Sequence, residues 1–214
     1  MNLWLSSLLF ALLLLSSSAE TPEECQPLVS PQSLADPSVM FGRVNLLAGY
    51  ADHAFYKAMM KMAESSWTNI TGSPADNNEI LMHLRSRANG TCVKATTKAK
   101  IEGNAMTSGN QHGTSEVYLL PSCDSCIVFL MKTTMPDFGF LLKMIQPSDA
   151  DMPVANTARA LLLQGKGQSV TESEMEHFKK QASCLGFSGE LDYLYNPDIS
   201  FCKEEECIEM PSPQ

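Results

Sequence analysis

The sequence predicts an all-β protein with an α-helix near its C-terminus. Short runs of apolar and β-branched residues follow one another from Val44 to Gln164, and turn signals such as Ser73–Asn78 and Ala88–Gly90 separate them. Strands at this spacing are typical of a β-sandwich or an up-and-down barrel rather than of a parallel sheet. The helix follows the last run and has a clear beginning and end.

Seven runs carry the strand pattern, and an eighth strand is expected within Gly103–Ser108, where the pattern is weakest. The seven are Val44–Ala48, Ser65–Thr71, Glu79–Arg87, Thr91–Glu102, Thr114–Leu120, Ile127–Thr134 and Ala158–Gln164.

Two helices are predicted. Thr171 and Glu174 have capping-box spacing at the start of the C-terminal helix, and Gly186 marks its end. A shorter helix is expected over Asp52–Met62, where Phe55, Met59 and Met62 form an apolar stripe.

Composition excludes some partners. The 214 residues are 44% hydrophobic and 18% charged, which is the balance of a globular protein. The net charge of −9 argues against binding to nucleic acid or to anionic membranes, since both require a basic surface.

The N-terminus resembles a secretory signal peptide. Residues 1–19 contain the apolar run Leu8–Leu15, followed by Ser17 and Ala19 at the −3 and −1 positions of a cleavage site. The run is too short to span a bilayer. We therefore expect a signal peptide over 1–19, a single extracellular domain over 20–202 and a flexible acidic tail over 203–214. No integral membrane segment is expected.

Two glycosylation sequons fit a secreted chain, and one of them helps to assign strand faces. They begin at Asn69 and Asn89. A glycan on Asn69 must point outward, so Ser66, Thr68 and Ile70 would face inward. Charged residues alternate with apolar ones in the later strands, which places further residues inward: Met82, Leu84, Phe129 and Met131. These positions either line a cavity or form an ordinary core, and the pattern alone does not decide.

Residues for catalysis or metal binding do not cluster in the sequence. The four histidines, His53, His83, His112 and His177, lack metal-ligand spacing, and no nucleophile motif, phosphate loop or dinucleotide fingerprint is present. Cys123 and Cys126 form a Cys-x-x-Cys without the strand–helix context of a redox enzyme. We expect either a disulfide between them or a pairing of one of them with Cys207. The sequence thus predicts neither an enzyme nor a cofactor or metal site.

Several stretches resemble the alpha-1-acid glycoprotein and apolipoprotein M branch of the lipocalins. Gly42-Arg43-Val44 stands where lipocalins have Gly-x-Trp, with Val44 in place of the tryptophan. Residues 46–67 and 178–186 are similar to teleost plasma members that bind saxitoxin, tetrodotoxin or tributyltin. The resemblance covers nearly the whole mature chain.

The resemblance implies an eight-stranded antiparallel up-and-down lipocalin barrel with the C-terminal helix packed outside. It also implies the disulfides Cys25–Cys184 and Cys92–Cys202, which leaves Cys207 as the expected odd thiol. By positional match, the ligand-binding residues would be Leu46, Tyr56, Met60, Ser66, Thr68, Ile70, Met82, Leu84, Phe129, Met131, Leu161 and Leu163.

The function that the resemblance implies is that of a monomeric plasma protein carrying a small hydrophobic or amphiphilic ligand, such as a toxin, a xenobiotic or a lipid. Two alternatives stay open. One is an acute-phase, immune-modulating glycoprotein that acts through its surface, and the other is a sphingolipid carrier that associates with lipoprotein particles.

Overall fold

The computed structural model describes residues 21–110, 113–138 and 156–209, and for Asn110 only the backbone. The expected signal peptide and His112 lie outside the described residues. The helices are α1 Pro22–Val29, α2 Ala54–Met62 and α3 Glu172–Cys184, with 3-10 turns at Pro37–Met40 and Glu204–Glu206. The strands are β1 Gly42–Ala51, β2 Ala63–Gly72, β3 Glu79–Ala88, β4 Thr91–Glu102, β5 Ala105–Asn110, β6 Gly113–Leu120, β7 Cys126–Thr134, β8 Thr157–Gly165, β9 Tyr193–Leu194 and β10 Ile208–Glu209.

Strands β1 to β8 form a closed antiparallel barrel. Each strand pairs with the next one along the chain, and β8 pairs with β1 to close the ring. Between β4 and β5 only three residue pairs form, from Lys100–Thr107 to Glu102–Ala105. The predicted eight-stranded up-and-down barrel with an outer C-terminal helix is confirmed.

Helix α3 begins and ends where its sequence signals indicated. The Thr171 hydroxyl accepts from the Glu174 amide, and Glu174 accepts in return from the Thr171 amide. Gly186 follows the helix with φ +80°, a backbone conformation that glycine adopts without strain. Phe178 and Ala182 pack with outward-facing residues of β1 and β8, so α3 covers the outside of the barrel.

The segment before β1 closes one end of the barrel. Leu34 and Met40 pack into a cluster with Ile70, Ile80 and Met106, all of them almost fully buried. This closed end lies where β2 ends and β3 begins. The opposite end, which we call the mouth, carries α2 between β1 and β2.

Three disulfides hold the chain ends and one turn. Cys25–Cys184 joins α1 to α3, and Cys92–Cys202 joins β4 to the C-terminal segment, as the resemblance implied. The third joins Cys123 to Cys126, one of the two alternatives left open by the sequence. Among the described cysteines only Cys207 is free.

The first part of the expected flexible tail is attached to the barrel instead. Strand β10 pairs in parallel with β4, at Ile208–Val93 and Glu209–Lys94. Glutamates of the same segment form ion pairs with β3 and β4: Glu204 with Arg85 at 2.8 Å, Glu206 with Arg87 at 3.5 Å and Glu209 with Lys94 at 3.4 Å. Residues 210–214 lie outside the described part of the chain. None of the described helices is long and apolar enough to cross a membrane.

Candidate ligand-binding site

The interior face of the barrel follows from the strand register. Thr68 pairs with Val44 on one side and with Leu84 on the other, and Leu84 pairs with Ala95. Directly paired residues share a face of the sheet. Since Val44 belongs to the core cluster inside the barrel, all of these residues face inward.

Eight of the predicted ligand-binding residues lie on this interior face. By register and by cluster membership they are Leu46, Ser66, Thr68, Ile70, Met82, Leu84, Phe129 and Met131. Trp67 and Asn69, between them in β2, face outward as expected. Trp67 is nevertheless buried, because its indole N–H donates to the Cys202 carbonyl at 2.9 Å and the Arg43 guanidinium covers its ring at 4.3 Å.

Inward side chains of the barrel differ in how much of their surface is exposed. Ile70 and Ile80 are each 1% exposed, so the closed end is filled by side chains. Met82, Leu84 and Met131 face the same interior and are only half-buried. An inward apolar side chain that stays accessible borders open space. Leu84 and Met131 lie towards the mouth, whereas Met82 pairs with Ile70 near the closed end, so the mouth half of the barrel has room for a ligand beside Leu84 and Met131.

Helix α2 covers the mouth with two predicted residues, Tyr56 and Met60. The Tyr56 hydroxyl lies 2.7 Å from the Thr133 hydroxyl, which is itself 2.7 Å from the Ser115 hydroxyl. Met60 packs inside the barrel over Gly49, where a Cβ would lie 3.0 Å from the methionine methyl carbon. Both side chains are thus placed to contact whatever occupies the mouth half.

The predicted apolar stripe of α2 is wrong at Met59, whereas Phe55 and Met62 are half-buried. Met59, which the periodicity placed on the buried face, is 41% exposed, whereas Ala58 and Met60 are buried. The helix is short, and several apolar side chains compete for its inner face. Its orientation is fixed by the bond from Tyr56 to β7 and by the packing of Met60 against β1.

Leu161 and Leu163 do not line the interior, which corrects the prediction for both. Their partners in β7 are Leu130 and Val128, and both leucines pack with Phe178 of α3 on the outside of the barrel. The interior position between them is Leu162, which pairs with Phe129. Both faces of β8 are apolar, one against the interior and the other against α3, so alternation gives no signal there.

Several interior residues were not predicted from the sequence. Thr133 follows Met131 with the same parity, so alternation could have found it, and Ser115 is its partner in β6. Gln164 pairs with the inward residues Leu46 and Ile127 and is 9% exposed. Its side-chain oxygen accepts no hydrogen bond among the described residues. Nothing in the sequence singled it out.

The inward strand positions that the structure describes carry no ionisable side chain. Besides apolar residues they contain hydroxyl groups and the Gln164 amide: Ser66, Thr68, Ser86, Thr97, Ser108, Ser115 and Thr133. Burial raises the pKa of the Tyr56 phenol, although its hydrogen bond with Thr133 opposes the shift. The phenol is therefore neutral at physiological pH, and the described interior is uncharged.

A groove opens in the barrel wall where β4 and β5 separate. It has a volume of about 700 Å³ and contains Lys98, Lys100, Thr107, Thr114 and Glu116. Lys98 pairs with Glu79, and Lys132 with Glu116, so charges of both signs balance along its rim. The inward residues Ser108 and Ser115 also line the groove, so it joins the charged outer surface to the uncharged interior.

Both sequon asparagines lie outside the interior. Asn89 is exposed in the β3–β4 turn and has φ 49°. Asn69 is half-buried on the outer face of β2, between Arg43 and His83 of the adjacent strands.

Comparison with known proteins identifies the fold of this chain but finds no close relative in sequence. No protein-family model and no curated protein matches the sequence. Among solved structures, lipocalin 12 from rat epididymis is similar, with a TM-score of 0.60, 9% identity and coverage of 90% of this chain and 99% of that one. The Ex-FABP siderocalin gives a TM-score of 0.55 with 18% identity, over 74% of this chain and 95% of that one. The chain has the lipocalin fold.

A third solved structure is likewise similar in fold and distant in sequence. An odorant-binding protein matches with a TM-score of 0.52 and 14% identity, over 72% of this chain and 88% of that one. In a lipocalin fold the barrel interior is the cavity that small ligands occupy. The uncharged mouth half described above lies in that position.

Proposed function

We propose that this protein binds and carries a small hydrophobic or amphiphilic molecule in the mouth half of its barrel. The observation that supports this most directly is the half-buried state of Leu84 and Met131, which face the interior without filling it. Thioether side chains adapt their shape, so such a wall accepts more than one apolar scaffold. Tyr56 and Met60 of α2 would close over the bound molecule.

The ligand that suits this interior is uncharged and carries a hydrogen-bond donor. A buried ion needs a partner of opposite charge, and the described inner wall offers none. The hydroxyls of Ser115 and Thr133 offer acceptors for a hydroxyl or amide N–H. Neutral lipids or xenobiotics therefore fit better than fatty-acid anions or cationic toxins.

Binding is tested with an arginine placed on either face of the same strand. Leu84→Arg puts a cation into the interior, and we expect its affinity for an environment-sensitive hydrophobic probe to fall at least tenfold. His83→Arg, which faces outward beside Thr96, is the matched control and should bind as the parent does. Equal affinity of folded Leu84→Arg and parent would contradict a site inside the barrel.

The preference for neutral ligands has its own measurement. Displacement of the probe by a long-chain alcohol is compared with displacement by the carboxylate of the same chain length. The alcohol should compete at least tenfold better at pH 8, where the carboxylate is ionised. Equal competition would show that the interior holds a cation outside the residues described.

We further propose that the protein is secreted after cleavage behind Ala19 and carries glycans on Asn69 and Asn89. Support comes from the signal-like start, the three disulfides and the outward position of both asparagines. Expression in secretory cells should give an N-terminus at Glu20 and a loss of mass on glycosidase treatment. An N-terminus at Met1 would refute the cleavage, and an unchanged mass would refute the glycosylation.

A further inference from the structure

A second cavity lies outside the barrel, between α3 and the turn that joins β6 to β7. It has a volume of about 240 Å³. Cys123 and Cys126 line it from the turn, and Glu174 and His177 line it from the first turns of α3. The proposed carrier function uses none of these four residues.

Three of these side chains form a cluster typical of a metal site, and His177 lines the same cavity. The Sγ atoms of Cys123 and Cys126 and a carboxylate oxygen of Glu174 all lie within 4.8 Å of one another. His177 follows Glu174 by three residues, which places both on one face of the helix. Thiolate, imidazole and carboxylate are the ligands that Zn²⁺ takes in tetrahedral protein sites.

The Glu174 carboxylate is already oriented by its neighbours. Its Oε2 atom accepts from the Thr171 amide at 2.6 Å and from the Thr171 hydroxyl at 2.9 Å. A ligand whose position is fixed by a second hydrogen-bonded group loses little freedom when a metal binds. The capping box of α3 therefore supports the proposed site.

We propose that Cys123, Cys126, Glu174 and His177 form a Zn²⁺-type site when the Cys123–Cys126 disulfide is reduced. A reducing thiol opens the bond in two exchange steps. In the first it forms a mixed disulfide with one cysteine and releases the other as a thiolate, and in the second another reductant thiol displaces the first cysteine. The products are two cysteine thiols and one reductant disulfide. The metal then displaces the two thiol protons.

This disulfide is the one expected to open first among the three. Its cysteines are three residues apart in sequence, whereas the other two bridges span 159 and 110 residues. A bridge that closes a short loop removes less entropy from the unfolded chain and is therefore less strongly favoured by folding. Cys123 is also half-buried beside the cavity, so a reductant can reach it. Oxidation would switch the site off and reduction would switch it on.

The test uses cobalt as a probe for tetrahedral thiolate coordination. The full chain with Cys207→Ser is reduced by a phosphine and titrated with Co²⁺, and we expect intense visible bands that saturate at one metal per chain. The oxidised protein and the additional Cys123→Ser variant should show no such bands. His177→Ala and Glu174→Gln should each weaken binding at least tenfold. Glu174→Gln keeps a side chain able to complete the capping box.

The Cys207→Ser background removes one ligand from the other group of three potential metal ligands among the described residues, which consists of Cys92, Cys202 and Cys207. Binding of Co²⁺ that persists in the Cys123→Ser variant would overturn the proposal. The proposal is also overturned if the reduced protein shows no thiolate bands with Co²⁺, or if His177→Ala and Glu174→Gln both bind Co²⁺ as the parent does.

A measurement on the unsubstituted chain does not depend on variants that fold. Zn²⁺ added to the reduced protein should slow alkylation of Cys123 and Cys126 at least tenfold relative to the same two cysteines without Zn²⁺, as read by peptide mass spectrometry. Equal alkylation rates with and without Zn²⁺ would equally contradict the site.

Discussion

Leu163 lies in β8, a strand that faces the barrel interior on one side and helix α3 on the other. It is 1% exposed, packs against Phe178 of α3, and alternates with Leu162, which faces the interior. Its methyl groups therefore stabilise the attachment of the helix without contacting a ligand in the barrel.

We expect Leu163→Ala to lower the free energy of unfolding by about 2–5 kcal/mol, because it leaves a cavity under α3. Affinity for the hydrophobic probe should stay within a factor of two of the parent. Urea unfolding and probe titration of the same preparation measure both quantities. A large loss of affinity with unchanged stability would place Leu163 in the binding site after all.

The faces of individual residues could be predicted wherever charge breaks the apolar pattern. In β3, His83 and Arg85 alternate with Met82 and Leu84, so one face is clearly outward. In β8 the run Leu161–Leu163 is apolar on both faces. An error of one residue in the assumed register therefore exchanges the inward and outward residues along the whole strand. Gln164 could not be recognised as interior because its neighbours in space come from β1 and β7.

At the scale of elements, α2 depends on contacts that its own sequence does not reveal. The helix spans nine residues, which is too short for periodicity to identify its buried face. Its inner side is defined by Tyr56 on Thr133 and by Met60 over Gly49. Resemblance to a family supplied these two residues, whereas the hydrophobic stripe pointed to Met59.

Helix α2 should control how fast a ligand leaves. Tyr56→Ala removes both the bond to Thr133 and the ring that covers the interior, so we expect probe dissociation to accelerate at least fivefold. Met59→Ala, on the exposed side of the same helix, is the control and should leave the rate unchanged. Stopped-flow displacement measures both rates. Identical dissociation from parent and Tyr56→Ala would mean that ligands do not pass α2.

The C-terminal segment is the second element for which the prediction from the sequence was wrong. Three consecutive glutamates, Glu204–Glu206, are typical of a solvated tail. In the structure, the Arg85 and Arg87 side chains on the outer face of β3 pair with two of them. Their partners lie more than a hundred residues earlier, and the Cys92–Cys202 bridge and the pairing of β10 with β4 hold the two parts of the chain together.

At the scale of the whole molecule, the three disulfides differ in what they constrain. Cys25–Cys184 and Cys92–Cys202 connect the two chain ends to each other and to the barrel, over 159 and 110 residues. Cys123–Cys126 only closes a turn. The barrel itself is held by strand pairing and by apolar clusters inside and outside.

Removing the bridges one at a time should therefore rank them by loop length. From loop entropy alone we expect a loss of about 5 kcal/mol for the Cys25→Ser, Cys184→Ser double variant and nearly as much for Cys92→Ser, Cys202→Ser. For Cys123→Ser, Cys126→Ser the corresponding loss is about 2 kcal/mol. Lost packing adds most at Cys92 and Cys202, which are buried.

All three double variants should still fold and bind the probe, because no bridge crosses the interior. Urea unfolding with Cys207→Ser in every chain prevents thiol exchange from mixing the species. The ranking is wrong if removal of Cys123–Cys126 lowers the free energy of unfolding the most. That bridge would then stabilise the protein through contacts in the native state rather than through loop entropy. Loss of probe binding in a folded variant without Cys25–Cys184 would instead show that α1 and α3, although outside the barrel, hold the interior in its binding shape.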